Sequence, residues 1–132
     1  MYKVIWITKF APDQDPEEMR RWWLDVHGPL FLEIPGVVRY VQNHWEGVNP
    51  ASGADSAGEE PAYHGHAEAW FESEDAFNTA LAGPEFQAAI ADVPNCFDTS
   101  TMVSGHVTEY VMKWDAGPDG RPLRTAGAGT DG

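Results

Sequence analysis

The sequence predicts one α+β domain whose elements run strand, helix, strand, strand, helix, strand. Three observations lead there. Four segments are rich in β-branched and aromatic residues, two regions place apolar residues at helical spacing behind capping residues, and Gly-Pro or Pro-Gly pairs punctuate the chain between them. A length of 132 residues fits one domain. A hydrophobic content of 42% suffices for a globular core.

Tyr2 to Phe10 reads as the first strand and Ala11 to Gln14 as a turn. Asp15-Pro16-Glu17-Glu18 starts a helix: Asp15 can cap free amides, Pro16 suits the first turn and Glu18 completes a capping-box pattern. Met19, Trp22, Trp23, Val26, His27 and Leu30 then recur on one helical face. Gly28-Pro29 is expected to end or sharply bend this helix. Pro35-Gly36 marks a turn before a second strand, Val37 to Glu46, and Gly47 to Pro61 reads as a long loop. Tyr63 to Phe71 is the third strand. Ser73 caps the next helix, with Glu74 and Asp75 in its first turn. Gly83-Pro84 breaks it and starts another, with Phe86, Ala89, Ile90 and Val93 on its apolar side. Met102 to Lys113 is the last strand, and the Gly/Pro-rich residues 115–132 read as a flexible tail behind a domain of residues 1–114. This order is the split β-α-β, ferredoxin-like βαββαβ motif. Helices on one sheet face would leave the other bare, and a second copy of the chain could bury it.

The formal charge of −13, from 21 acidic and 8 basic residues, repels phosphate backbones and anionic lipid heads. Nucleic acid and membranes are therefore not expected as partners. The single cysteine, Cys96, cannot form an internal disulfide, and no export signal is read at the N-terminus, so a cytoplasmic location is expected. Neither a P-loop nor a GxGxxG motif is present to cradle a nucleotide, and no bound cofactor is expected.

Three groups of residues can bear chemistry. His27 shares the apolar face of Met19 and Trp23, and a buried, neutral imidazole is suited to proton transfer. On the second strand, alternation puts Tyr40, Gln42 and His44 on one face and Arg39, Val41, Asn43 and Trp45 on the other. Tyr40 there can donate a hydrogen bond to a developing oxyanion. His64 and His66, with His44 on a neighbouring strand, form a conceivable metal site. No HExxH, CxxC or spaced carboxylate supports it, so no metal is expected.

The stretch Glu18 to Trp23, then His27-Gly28-Pro29-Leu30, then Pro35-Gly36-Val37-Val38-Arg39-Tyr40-Val41-Gln42-Asn43-His44, and Ala69-Trp70-Phe71-Glu72-Ser73 together resemble the EthD family. The resemblance covers about residues 3–113. It implies a dimeric α+β barrel, hence a homodimer, with a pocket between the helices and sheet of each subunit. Family members include methylmuconolactone isomerases, cyclases or dehydratases of polyketide aromatics, and accessory proteins of degradation pathways. In the isomerase branch the counterparts of His27 and Tyr40 line the pocket. That branch also has a third-strand cysteine, and the matching position here is Ala69.

The function expected is a cofactor-independent isomerase, cyclase or dehydratase/lyase acting on a small apolar, aromatic, polyketide-like or lactone compound. His27, Tyr40 and His44 are the candidate catalytic residues. Trp23, Phe31, Asn43 and Ala69 are the candidate substrate contacts. A cofactor-free monooxygenase of the same barrel and a non-catalytic ligand-binding protein are the alternatives.

Overall fold

A computed structural model of the chain describes residues 1–49, 51 and 61–113. Most of the expected loop from Gly47 to Pro61, and the tail from residue 115, lie outside the described residues. Four strands, β1 (Tyr2–Thr8), β2 (Val37–His44), β3 (Gly65–Phe71) and β4 (Val103–Val107), form one antiparallel sheet in the order β2-β3-β1-β4. Between β1 and β2 run α1 (Pro16–Trp22), a π-helical turn (Trp23–His27) and α2 (Gly28–Leu32). Between β3 and β4 run α3 (Glu74–Leu81) and α4 (Pro84–Cys96). This is the ferredoxin-like α+β arrangement. No helix among the described residues is long and apolar enough to cross a membrane.

The helix starts follow from their caps. The Asp15 carboxylate accepts from the Glu17 amide at 3.4 Å, and the Ser73 hydroxyl accepts from the Ala76 amide at 3.0 Å. Gly83-Pro84 separates α3 from α4, as its missing N–H requires. At Gly28-Pro29, by contrast, the helix does not end. It widens for one turn, with the Gly28 amide bonding back five residues to the Trp23 carbonyl, and then continues into α2. The wider turn accommodates a proline that has no N–H to give. It also leaves Val26, expected on the apolar face, 39% exposed, while Trp23 and His27 are both buried.

The strands are shorter than the β-rich stretches that announce them. β4 is the clearest case: it stops at Val107 instead of Lys113. Val107 stands opposite Lys3, and β1 begins one residue earlier, so the following residues run past the end of their partner strand. Phe10, expected in β1, makes an isolated bridge to Phe97.

The helices cover one face of the sheet, with the core in two clusters. One gathers Phe31, Ile34, Ala69, Phe71, Ala80, Phe86 and Ala89. The other gathers Phe10, Met19, Trp23, Ala67, Cys96 and Phe97. Trp6 and Tyr40 pack against both. On the opposite face, set by strand alternation, Lys3 and Arg39 lie 4.4 and 4.5 Å from the centre of the Trp70 ring, and Lys3 pairs with Glu68 at 3.3 Å.

Candidate functional site

A cavity of about 60 Å³ remains where the two core clusters meet. Phe31, Phe86 and Ala89 wall it from one cluster, Trp23, Ala67 and Phe97 from the other, and Trp6 and Tyr40 from the sheet between. His27, Thr8, Ile90, Val93 and Met102 complete the lining. Ile90 is 42% exposed, so the cavity reaches the surface beside α4. The Thr8 hydroxyl is taken up by the Gly65 carbonyl at 3.3 Å. His27 and Tyr40 are the other lining residues with polar side-chain atoms, besides the indoles of Trp6 and Trp23.

The π-helical turn delivers His27 into this wall, where its side chain is buried. Its Nδ1 lies 2.9 Å from Oδ2 of Asp92, a residue of α4 that is itself buried. Asp92 also accepts from Trp22 Nε1 at 3.0 and 3.2 Å and from Asn95 Nδ2 at 3.1 Å. Burial pulls the His27 pKa below the ordinary imidazole value, and the hydrogen bond and charge of Asp92 oppose that pull with smaller effect. The ring is therefore neutral at neutral pH.

Tyr40 stacks on Phe31 with ring centres 4.7 Å apart and planes within 9°. Its hydroxyl accepts from Gln42 Nε2 at 3.1 Å, which leaves its own proton to donate. Burial pushes the Tyr40 pKa up, with the Gln42 bond opposing, so the phenol keeps that proton. The same Gln42 amide donates to the Trp23 carbonyl at 2.9 Å. One side chain thus ties β2 to the turn bearing His27. Gly28 leaves room for it: a Cβ there would stand 2.7 Å from Gln42 Nε2 and 2.9 Å from the Trp23 carbonyl.

Of the seven residues singled out from sequence, the cavity brings together His27, Tyr40, Trp23 and Phe31. The other three lie elsewhere. His44 shares Tyr40's face but sits farther along β2, stacked on Trp23 at 4.2 Å and bonded through Nε2 to Gln42 Oε1 at 2.9 Å. Trp23 stands between it and the cavity. Burial, then the Arg20 charge, lowers its pKa. Asn43 points to the opposite sheet face, as the pleat dictates, and its amide reaches the His66 carbonyl (3.3 Å) and Glu68 (3.4 Å). Ala69, opposite Tyr40 in β3, is fully buried in the first core cluster, and Ala67 lines the cavity in its place.

The histidines weighed as metal ligands are held apart. His64 Nδ1 accepts from the Phe10 amide at 2.9 Å, while His66 Nδ1 accepts from Trp45 Nε1 at 2.9 Å and its Nε2 faces Glu68 at 3.2 Å. Among the described residues no three His, Cys, Asp or Glu side chains come together as a metal site would need. Cys96 is fully buried, and burial, with Asp92 adding to it, pushes its thiol up to about 12, so it stays protonated.

Asp92 is the participant that the sequence reading missed. Its signal was a carboxylate among the apolar positions of α4, between Ala89 and Val93. A buried acid is seldom left unpaired, and only the fold shows that its partners are Trp22, Asn95 and His27.

The fold is shared with several solved structures. An ethyl tert-butyl ether D (EthD) family protein from Bacillus halodurans superposes with a TM-score of 0.66 at 15% identity, over 83% of this chain and 100% of that one. A dimeric ferredoxin-like protein of unknown function from Thermobifida fusca gives 0.60 at 18% identity, over 82% and 90%. SnoaB, a cofactor-independent oxygenase from Streptomyces nogalater, gives 0.54 at 19% identity, over 85% and 97%. No curated protein matches the chain. The family model of the EthD domain matches residues 11–100, more than half of the sequence, and those residues include α1, the π-helical turn and both His27 and Asp92. The chain belongs to the EthD domain family.

Proposed function

We propose that this protein binds a small, neutral carbonyl compound and moves a proton on it without a bound cofactor, as an isomerase, cyclase or dehydratase/lyase. The supporting observation is the pairing of His27 and Tyr40 on an otherwise apolar wall. A neutral imidazole accepts a proton from the carbon beside the carbonyl, and the Tyr40 hydroxyl donates to the oxygen that gains charge. Such a donor is worth more in a water-poor site than in solution. The enclosed space suits the reacting carbonyl and its neighbours, and the remainder of an aromatic, polyketide-like or lactone molecule passes Ile90 toward the surface. Charge favours a neutral substrate, because an anion meets a chain of net charge −13 and an apolar wall.

The test is solvent deuterium uptake into a panel of aryl ketones and unsaturated lactones. The enzyme speeds uptake into at least one member, and Tyr40→Phe slows it by about 10²–10³-fold. Equal rates for the two proteins remove Tyr40 from the reaction. A cofactor-free oxygenase is the second reading, supported by the indoles of Trp6 and Trp23 beside the cavity and by the fold shared with SnoaB. Oxygen uptake with a phenolic substrate, without deuterium exchange, selects it.

The bare sheet face supports a homodimer. Ile5, Ile7, Val41 and Val107 lie there, and two structural neighbours are described as dimeric. Light scattering at micromolar concentration is expected to give twice the 14.6 kDa chain mass. A single-chain mass contradicts the dimer.

A further inference from the structure

We propose that Asp92 is a positioning residue: held by Trp22 and Asn95, its carboxylate fixes the proton of His27 on Nδ1 and turns a bare, basic Nε2 to the cavity. The inference rests on the reading of His27 as the proton acceptor, and it specifies which nitrogen acts and what keeps it available.

The geometry sets the roles. An ionised carboxylate only accepts hydrogen bonds, so the nitrogen facing it at 2.9 Å must be the one carrying hydrogen. A neutral ring has one such hydrogen. With Nδ1–H committed to Asp92, Nε2 keeps its lone pair, and it has no protein partner among the described residues. The carboxylate is in turn over-determined. Oδ1 accepts from Asn95 at 3.1 Å and from Trp22 at 3.2 Å, and Oδ2 accepts from Trp22 at 3.0 Å beside His27. Trp22 and Asn95 approach only through N–H groups, so they require an acceptor, whereas His27 can adapt to either role. The negative charge also favours the imidazolium that forms when Nε2 takes a proton.

This asymmetry makes an unusual variant informative. In Asp92→Asn the side chain keeps its shape but gains an NH₂ group. Asn95, which donates to Oδ1 alone, draws the remaining carbonyl oxygen to the Oδ1 side, and Trp22, which already reaches both oxygens, follows it. The NH₂ then faces His27 Nδ1, which must become the acceptor, and the ring hydrogen moves to Nε2. The cavity would then meet an N–H donor where the base had been.

Two-bond proton–nitrogen NMR spectra of ¹⁵N-labelled full-length protein at pH 7.5 read this directly, with His27 assigned by the signal lost in His27→Gln. The expected result is Nδ1–H in the natural protein and Nε2–H in Asp92→Asn. Catalysed deuterium uptake should fall with the switch by at least about 10²-fold, the scale of a lost general base. A natural protein protonated on Nε2 overturns the proposal, whether or not the variant folds. An Asp92→Asn ring that stays protonated on Nδ1 overturns it as well. Neither outcome depends on turnover. If instead His27→Gln exchanges deuterium at the natural rate, the proton-transfer reading fails while the ring geometry can still stand.

Discussion

Replacing His27 with glutamine is expected to lower turnover by about 10²–10⁴-fold, the usual contribution of a positioned acid or base. Binding should change far less. The affinity of an apolar ligand comes from walls such as Trp23, Phe31, Phe86 and Phe97, which the substitution leaves in place. The loss should therefore fall on kcat, with KM altered only a few-fold. The pH profile adds a second signature. Burial holds the His27 pKa below its ordinary value of 6.5. Proton transfer to a neutral ring should rise as pH climbs through that lowered value and level off at neutral pH. His27→Gln should lose this rise. The same shift has a stability consequence of definite sign. The unfolded ring takes up a proton more readily than the buried one, so stability present above pH 6.5 is lost as pH falls toward the folded-state value.

Gly65→Ala is expected to be the most damaging single-methyl change, at about 3 kcal/mol or more, the upper range of overpacking costs. A Cβ at this position would press into the Asn43 carbonyl and stand 2.8 Å from two ring carbons of Trp23. Neither neighbour can yield cheaply. Asn43 belongs to the β2–β3 ladder, and Trp23 is packed against His44, Phe10 and Phe97. Since Trp23 begins the turn that ends in His27, displacing it should also misplace the base. Gly47→Ala is the control, at an exposed position off the sheet where an added Cβ meets nothing within 4 Å. Urea unfolding followed by circular dichroism measures both. Equal midpoints for the two variants would contradict this account of the packing.

The fold was legible because its signals are local. Caps at Asp15 and Ser73, the Gly83-Pro84 break and the β-rich stretches specify elements one at a time. His27 was legible through its four-residue spacing from Trp23, and Tyr40 through its place on one strand face. What escaped depends on contacts between elements. The continuation through Gly28-Pro29 is braced by Gln42, which arrives from β2 to bond the Trp23 carbonyl. The end of β4 depends on where β1 begins. His44 lies on the expected face, yet its distance from the cavity is decided by the ring of Trp23 that covers it. Asn43 fell on the face that strand alternation assigns it, away from the helices, and that pattern alone argued against a place in the pocket. Asp92 lies 65 residues from His27, a separation that periodicity cannot bridge.

All of the proposed chemistry requires an imidazole at position 27 to exchange protons with a molecule held in the apolar cavity. Deuterium uptake by a saturating neutral ketone, followed side by side in the natural protein and His27→Gln, tests it most directly. The prediction is rapid uptake in the first and near-background uptake in the second, with both proteins folded and both binding the ketone. Equal uptake in the two would contradict it.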